Sequence, residues 1–305
     1  MGSNQSRVVG LDIGGSKTHA LAVDMLSGDQ AIQEVMAGSA NLSSVGATEV
    51  ARQLTAVFDQ LGRDGITAVC AGAAGVDSPA QERRLRDLVH TQVPGASVQI
   101  VHDTQLILAA AGTDDGIALI AGTGSVAWGK SANGSTSRAG GWGYLLGDEG
   151  SGYWLGRQAV RHALAGVDRA DPPDQLTLRL TADCGLEQPG QLLDQFYANP
   201  ERRYWADHSR LVFELACAGD EASRQLVDES ATALVGIASE VGAALGMAGP
   251  VVLAGGLLVH QPQLQLAVRE DLLLNGFRDI RVIDRDPAHG ALQLARRLAG
   301  TSGGC

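Results

Sequence analysis

The 305-residue sequence has few aromatic residues, few cysteines and no excess of positive charge. Aromatic residues make up 4% of a chain that is 45% hydrophobic, which predicts an interior of aliphatic side chains and alanine. The net charge of −11 argues against a nucleic-acid or anionic-membrane partner, because basic surfaces bind both. No hydrophobic run is long enough to span a membrane, and the first residues lack the apolar segment of a signal peptide. We therefore expect a cytoplasmic protein.

The cysteines indicate neither a disulfide framework nor a metal site. Four in a chain of this length are too few for a disulfide scaffold, and their separations match no metal-binding motif. They are Cys70, Cys184, Cys217 and Cys305. Cys70 lies in an apolar run and is expected to be a small core residue.

A glycine turn between two predicted strands organises the first part of the chain, over residues 8–24. The turn has the sequence Gly14-Gly15-Ser16-Lys17-Thr18. Asp12 lies just before it. Glycines let backbone N–H groups approach a ligand closely, and successive exposed amides form a concave site for anions. The stretch therefore predicts a phosphate-binding turn.

Residues 117–129 repeat this design around the turn Gly122-Thr123-Gly124-Ser125. Two such units indicate an internal duplication around a shared phosphate group. Neither turn fits a common nucleotide motif. Ser16 separates Gly15 from Lys17, so the Walker A spacing fails, and a strand follows each turn where the P-loop and Rossmann motifs require a helix.

The remaining pattern alternates strands with amphipathic helices, which is typical of an α/β fold. The chain is long enough for two domains. Asp114-Asp115-Gly116 is a turn and a candidate boundary. We predict helices at residues 47–61, 81–90, 105–111, 153–164, 201–218, 220–245 and 288–298.

Asp103 follows a short predicted strand and precedes a predicted helix. In open α/β sheets, ligands bind in the crevice outside the carboxyl ends of the strands. An aspartate here could instead cap the helix, which from this segment alone is the commoner use. The two phosphate turns in the same chain reverse that preference, because a phosphoryl acceptor needs a nearby base.

The most specific segment is residues 138–152, where glycines surround Trp142 and the adjacent acids Asp148 and Glu149. So many glycines cost backbone entropy, so the loop is expected to hold a shape that side chains would obstruct. The acids could simply favour the dipole of a following helix, which for Glu149 is a sufficient explanation. For Asp148 we expect hydrogen bonds to sugar hydroxyls.

A third glycine motif, Gly255-Gly256, ends a predicted buried strand at residues 251–254. Paired glycines could let a flat base or ribose lie against the backbone, although a plain strand–helix turn is as compatible with the pattern.

With these residues assembled, the chain resembles the sugar-kinase branch of the actin/hexokinase/Hsp70-like superfamily. More closely, it resembles the N-acetylglucosamine kinase and BadF-type ATPase family. The matching motifs are the first phosphate motif at 12–18, the second at 122–125, the adenosine motif at 255–256 and the amino-sugar kinase signature at 140–151. The resemblance covers residues 8–298, and within the family it is greatest to compact bacterial glucosamine kinases.

The resemblance implies an α/β fold of two ribonuclease-H-like (actin-like ATPase) lobes with a nucleotide cleft between them. The N-terminal lobe would comprise residues 1–113 plus 286–305, with the C-terminal helix packing back on it, and the C-terminal lobe residues 114–285. A homodimer is expected by analogy with the family.

The resemblance also implies roles for individual residues. Asp103 would be the catalytic base, and Asp12 would help to hold Mg²⁺ through water. The ATP contacts would come from Gly14, Gly15, Ser16, Lys17, Thr18, Gly122, Thr123, Gly124, Gly255 and Gly256. The sugar contacts would come from Asn41, Asp103, Gly140, Gly141, Trp142 and Asp148.

The activity expected from the resemblance is phosphorylation of D-glucosamine at its 6-hydroxyl by ATP and Mg²⁺, yielding glucosamine 6-phosphate. The ammonium of glucosamine would be favoured by an acid such as Asp148. The alternatives are an N-acetylglucosamine kinase and, in a different class, a sugar-independent ATPase or regulatory protein. The iron–sulfur activator ATPases of the family are disfavoured, because no cysteine lies at an equivalent place.

Overall fold

The structure is a computed structural model that describes residues 6–26, 32–73, 76 and 78–302. The chain divides into two compact units. Unit 1 comprises Met1–Asp114 together with Ile283–Cys305, and unit 2 comprises Asp115–Val282. The boundaries predicted from the sequence lie after residues 113 and 285.

Three consecutive strands begin each half of the chain, and both helices and strands follow them. The first part contains β1 (Arg7–Ile13), β2 (Lys17–Asp24), β3 (Gln33–Gly38), α1 (Leu42–Leu61), β4 (Ile66–Ala73), α2 (Pro79–Gln92), β5 (Ser97–His102) and α3 (Asp103–Ala110). The second contains β6 (Gly116–Ala121), β7 (Ser125–Lys130), β8 (Thr136–Gly140), α4 (Gly152–Asp168), α5 (Gln175–Asp183), a short 3₁₀ helix (Pro189–Gln191), α6 (Leu192–Ala198), α7 (Arg202–Asp207), α8 (Ser209–Ala218), α9 (Glu221–Leu245), β9 (Val251–Ala254), α10 (Gly256–His260), α11 (Pro262–Leu274), β10 (Ile280–Val282) and α12 (Pro287–Ser302).

Each unit contains a mixed five-stranded sheet with the same plan. In unit 1 the order is β3-β2-β1-β4-β5, with β1, β4 and β5 parallel and the first hairpin antiparallel. In unit 2 the order is β10-β9-β6-β7-β8, with β6, β9 and β10 parallel. The glycine turns predicted at residues 14–18 and 122–125 therefore occupy corresponding hairpins of the two sheets, although Lys17, Thr18 and Ser125 belong to the strands that follow the turns.

Strand β1 is buried on both faces of its sheet. Successive side chains of a strand point to opposite faces, and those of β1 belong to two different core clusters. Val9 and Leu11 belong to a core cluster with Phe58 of α1. Val8 belongs to a second cluster with Leu292 of α12. Helices therefore cover both faces of β1, which explains why residues 8–11 of this strand are all apolar and buried.

Helix α12 approaches the sheet so closely that glycine is required at the contact. A Cβ on Gly10 of β1 would overlap the backbone of Leu292. A Cβ on Gly290 would overlap the carbonyl oxygen of Leu106 in α3. Gly10 therefore sets the packing distance of α12 on β1, and Gly290 that of α12 on α3.

The single helix predicted over residues 201–218 is wrong, because the structure has two helices there. The Nδ1 of His208 donates to the carbonyl of Tyr204, at 2.8 Å. The backbone N–H of His208 instead bonds the carbonyl of Trp205. The side chain thus takes the carbonyl that a continuous helix would use, and α7 ends there.

Two expectations from composition concern cysteines and membranes. Cys70, Cys184 and Cys217 are free thiols, while Cys305 lies outside the described residues. Burial raises the pKa of the Cys70 thiol to about 12, consistent with a core residue. Within the described ranges, none of the helices combines the length and apolar character needed to cross a membrane.

Candidate functional site

The turn between β1 and β2 is exposed at its tip and closed at its base. The N–H of Gly14 donates to the carbonyl of Lys17, at 2.9 Å. Gly15, Ser16 and Lys17 are exposed. The turn can therefore offer backbone amides and one cation to an anion, as the predicted phosphate site requires.

Thr18 has a different position from its neighbours in the predicted phosphate motif. Its side chain is completely buried, and its Oγ1 accepts a hydrogen bond from the N–H of Ala40, at 3.0 Å. The Oγ of Ser39 donates to the carbonyl of Gly14, at 2.9 Å. These two bonds fasten the segment before α1 to the turn, so the Thr18 hydroxyl positions that segment.

Asn41 is held at the end of this fastened segment. Its side chain is buried, and its Oδ1 accepts from the N–H of Ser43, at 2.9 Å, as the N-cap of α1. Its own N–H donates to the Oγ of Ser39, at 3.2 Å. The sequence predicts a sugar contact for Asn41, and the structure places its side chain at the start of α1, next to the segment fastened to the glycine turn.

Asp103 begins α3 directly after β5, at the carboxyl end predicted for it. Its Oδ1 accepts from the N–H of Thr104, at 2.8 Å, and lies 2.9 Å from the Nδ1 of His102. His102, rather than Asp103, is the N-cap of α3. The Asp103 side chain is 34% exposed, and both contacts use one oxygen. The second carboxylate oxygen, Oδ2, is the one that could accept a proton from a ligand.

Asp12, near the end of β1, lies in a cluster of charged groups in unit 1. Its pKa is raised from 3.8 to about 6 by burial and by the negative charges of Asp286 and Asp103. His19 and Lys17 act in the opposite direction, but less strongly. A bound cation would relieve the repulsion among these carboxylates.

This donor set fits Mg²⁺ bound largely through water. Magnesium prefers oxygen ligands, keeps several waters and commonly uses only one or two carboxylates. Within the part of the chain that the structure describes, no three His, Cys, Asp or Glu side chains are grouped so that they could hold a metal ion. A magnesium ion on Asp12 would therefore take most of its ligands from water and phosphate oxygens.

Asp286 and His19 are residues of this cluster that sequence analysis missed. The Nδ1 of His19 lies 2.9 Å from Oδ1 of Asp286, and its Nε2 lies 2.7 Å from Oε1 of Glu34. His19 is directly opposite Asp12 in the β1–β2 register. A histidine within an otherwise apolar strand was the available signal, but nothing local indicated a partner 267 residues away.

In unit 2, the glycine turn after β6 is tied to the start of α4. The N–H of Gly152 donates to the carbonyl of Gly122, at 2.8 Å, and that of Tyr153 to the carbonyl of Thr123, at 3.3 Å. Thr123 itself is exposed at the turn. The turn and the glycine-rich segment before α4 therefore form one structural feature.

Asp148 is the acid that this arrangement buries. Its side chain is only 4% exposed, and its Oδ1 accepts from the N–H of Ser125, at 3.3 Å. A Cβ on Gly124 would lie 2.8 Å from Oδ2 of Asp148, so the carboxylate lies directly on the turn. Asp148 also has a positive φ of 63°, which is uncommon for a residue other than glycine. The backbone is held in an unusual conformation where the sequence predicts a sugar contact.

The neighbouring Glu149 does not take the helix-start position considered for it. Helix α4 begins at Gly152, its N-cap is Ser151, and its first turn contains no acid. Glu149 lies before that turn with its side chain exposed, while its backbone carbonyl accepts from the Oγ of Ser125, at 2.7 Å.

The glycines at residues 140 and 141 are required by their backbone conformation. Gly140 and Gly141 have φ values of 70° and 69°. The N–H of Gly141 donates to the carbonyl of Ser125, at 2.9 Å, which joins this loop to the same turn as Asp148. Trp142 follows with 68% of its surface exposed, next to the guanidinium of Arg138.

The paired glycines after β9 lie beside the turn after β6, because the two strands are parallel neighbours. Gly255 has a φ of 85°, and a Cβ there would overlap the carbonyl of Ala121. A Cβ on Gly122 would lie 3.9 Å from the backbone nitrogen of Gly256. The second phosphate motif and the adenosine motif predicted from the sequence are thus adjacent in unit 2.

The sequence profile of the BadF/BadG/BcrA/BcrD ATPase family matches residues 9–295. The chain belongs to this family. Two characterised relatives are each 30% identical to it. The N-acetylmuramic acid/N-acetylglucosamine kinase of Clostridium acetobutylicum matches over 95% of this chain and 98% of its own length. The N-acetyl-D-glucosamine kinase of Dictyostelium discoideum matches over 94% and 97%.

Solved structures confirm the predicted α/β fold class. A Chromobacterium violaceum protein described as a candidate N-acetylglucosamine kinase has a TM-score of 0.69 and 25% identity, with 96% of this chain and 100% of that chain covered. A ROK hexokinase from Thermus thermophilus shares the fold at a TM-score of 0.55 and 19% identity, over 95% and 97% of the two chains.

Proposed function

We propose that this protein transfers the γ-phosphoryl group of ATP to the 6-hydroxyl of an amino sugar. The observation that carries the proposal is the Asp103 carboxylate, which has one oxygen anchored and the other available at the carboxyl end of β5. It lies in the same unit as the exposed glycine turn and the Asp12 cluster. Two relatives named as amino-sugar kinases support the assignment.

In the proposed reaction, Asp103 accepts the proton of the 6-hydroxyl through Oδ2. The sugar oxygen then forms a bond to the γ-phosphorus. The bond between that phosphorus and the oxygen that bridges the β- and γ-phosphates breaks, which gives ADP and the sugar 6-phosphate. Lys17 and the exposed amides of the turn between β1 and β2 stabilise charge on the phosphoryl oxygens. Magnesium, held by Asp12 through water, would supply further neutralisation of that charge.

The proposed sugar contacts are the residues that the sequence predicts for this role. The amide of Asn41 would bind one ring hydroxyl. In unit 2, Asp148 would accept from another, and Gly140, Gly141 and Trp142 would form the wall of the pocket. The ring must be held so that the 6-hydroxyl is in line with the phosphorus. Such orientation can lower the activation barrier of a reaction by about 7–11 kcal/mol at most.

Two amino sugars are the main candidates for the acceptor. Glucosamine is the prediction from the sequence, because the chain resembles compact bacterial glucosamine kinases and an acid such as Asp148 would favour an ammonium group. N-acetylglucosamine is favoured by the two relatives named for it. The homodimer and the cytoplasmic location also remain predictions from the sequence.

We expect sugar-dependent ADP release when the protein is given Mg-ATP and an acceptor panel. The panel contains glucosamine, N-acetylglucosamine, N-acetylmuramic acid, glucose and a sample without sugar. Stimulation by glucosamine or by N-acetylglucosamine, with the phosphate located at C6 by NMR, would support the proposal and identify the acceptor. Equal ADP release in every sample would contradict it and leave a sugar-independent ATPase.

Replacing Gly124 with alanine tests the proposed role of Asp148. The new Cβ would lie within 3.0 Å of three atoms of the Asp148 carboxylate group, so the carboxylate must move. We expect KM for the sugar to rise by about tenfold, the loss of roughly one good hydrogen bond to a charged group. KM for ATP should change less.

The matched control for this substitution is Gly236→Ala in α9, where a Cβ meets nothing within 4 Å. It should leave both KM values unchanged. Equal increases in the two KM values of Gly124→Ala would assign Asp148 to shaping the turn rather than to binding sugar.

A further inference from the structure

Arg138, in the middle of β8, is held against the last residue of this strand and the glycine loop that follows it. Its Nε donates to the carbonyl of Gly140, at 3.2 Å, and its Nη2 to the carbonyl of Gly141, at 2.7 Å. Its guanidinium carbon lies 4.8 Å from the ring centroid of Trp142. The side chain is exposed but fixed in orientation by these three contacts.

These contacts leave the outer edge of the guanidinium available. An arginine has five N–H donors, and the two carbonyls use the one on Nε and one of the two on Nη2. The remaining Nη2 hydrogen and the Nη1 hydrogens include the pair that binds a carboxylate with two parallel hydrogen bonds. Across the described ranges of the chain, Arg138 forms no ion pair with an acidic side chain, although the protein carries a net charge of −11.

The arginine is also connected to the residues proposed to bind the sugar. Gly141 bonds the carbonyl of Ser125, and the N–H of the same serine bonds Asp148. Gly147 is the residue before Asp148, and a Cβ on it would lie 3.4 Å from the Cβ of Trp142. Arg138 therefore stands at the edge of the predicted sugar loop, on the same turn as the buried acid.

We propose that Arg138, with Trp142, forms a subsite for a carboxylate carried on a substituent of the amino sugar. The matching chemistry is a short ether-linked acid on the ring, such as the 3-O-lactyl group of N-acetylmuramic acid. The carboxylate binds the outer edge of the guanidinium, while the apolar part of the substituent contacts the indole ring. The proposal rests on the proposed sugar-kinase function and assigns this chain the additional capacity to accept an acidic amino sugar.

The test compares kcat/KM for N-acetylmuramic acid with kcat/KM for N-acetylglucosamine in the full-length protein. We expect Arg138→Gln to lower the ratio of these two values by about tenfold, the usual effect of losing one charge-assisted bidentate contact. Using the ratio separates recognition of the acid from any general loosening of the loop, because loosening affects both sugars. Arg138→Lys keeps the charge but lacks the planar fork, and should give a smaller decrease.

The matched control is Arg202→Gln. The guanidinium carbon of Arg202 lies 5.6 Å from the ring centroid of Tyr144 in the same loop, so this variant also removes an arginine–aromatic contact. It should leave the ratio unchanged.

Three outcomes would overturn the subsite. In the first, Arg138→Gln lowers activity with both sugars equally, which would make Arg138 only a clamp for the loop. In the second, the unaltered protein phosphorylates N-acetylglucosamine or glucosamine but not N-acetylmuramic acid, and the proposed kinase function survives alone. In the third, it phosphorylates no amino sugar, and both proposals fail together.

Discussion

Asp103→Asn is expected to lower kcat by about 10²–10⁴-fold, the range typical for loss of a general base. Asparagine keeps an Oδ1 that can accept from the N–H of Thr104, so the start of α3 should be preserved. The amide nitrogen that replaces Oδ2 cannot accept the proton of a hydroxyl. The variant should therefore fold normally and retain sugar binding while chemistry becomes slow.

Steady-state kinetics with a coupled ADP assay gives kcat, and isothermal titration calorimetry without ATP gives sugar affinity. The matched control is Asp87→Asn, which removes an exposed carboxylate from α2 in the same unit. Near-normal kcat for Asp103→Asn would remove Asp103 from the mechanism. A large loss of thermal stability would instead show that its role is to support α3.

Asp12→Asn is expected to stabilise the protein above pH 6 while reducing activity. Ionised Asp12 is unfavourable in the folded state, since burial and the charges of Asp286 and Asp103 raise its pKa from 3.8 to about 6. A difference of this size corresponds to up to about 3 kcal/mol in the free energy of unfolding, at 1.36 kcal/mol per pH unit. Proteins commonly accept such a cost at functional sites.

The direction of this pH dependence of stability follows from proton binding. The folded state holds the Asp12 proton more tightly than the unfolded chain, so this group contributes most to stability below 3.8 and loses that contribution as the pH rises through about 6. Asparagine does not ionise. The stability difference between the variant and the unaltered protein should therefore be small at low pH and grow through this window.

Urea unfolding at a series of pH values measures this difference, with Asp87→Asn again as the control. Adding Mg²⁺ should raise the melting temperature of the unaltered protein more than that of Asp12→Asn, because the carboxylate that attracts the ion is missing. A variant that is less stable than the unaltered protein at neutral pH would contradict the charge-repulsion account. An equal response to Mg²⁺ would remove Asp12 from the proposed metal site.

The parts of the candidate site that could be predicted from the sequence are those encoded in a few consecutive residues. The glycine turns at 14–16 and 122–124 follow apolar strands, and this local pattern is sufficient to predict strand, turn and strand. Gly140, Gly141 and Gly255 do adopt the positive φ values that explain their residue type. The position of Asp103 directly after β5, at the start of α3, follows from the same local reasoning.

What the local patterns could not reveal depends on contacts between distant segments. Thr18 looked like its exposed neighbours, but its hydroxyl is buried on the segment before α1. Asp148 was expected to face a sugar, and only the folded loop shows that its carboxylate also lies on Gly124 and bonds Ser125. The break between α7 and α8 arises from a histidine side chain that competes for a backbone carbonyl.

The sequence by itself determined the α/β class, the two glycine turns and the family, because strand periodicity and turn chemistry are properties of short windows. Only the tertiary structure decided the electrostatics of the site. Asp12 has a raised pKa because the fold buries it and because Asp286, far along the chain, is brought near it with the segment that leads into α12. Charge interactions act through space, so their strength is set by packing and burial rather than by order along the chain.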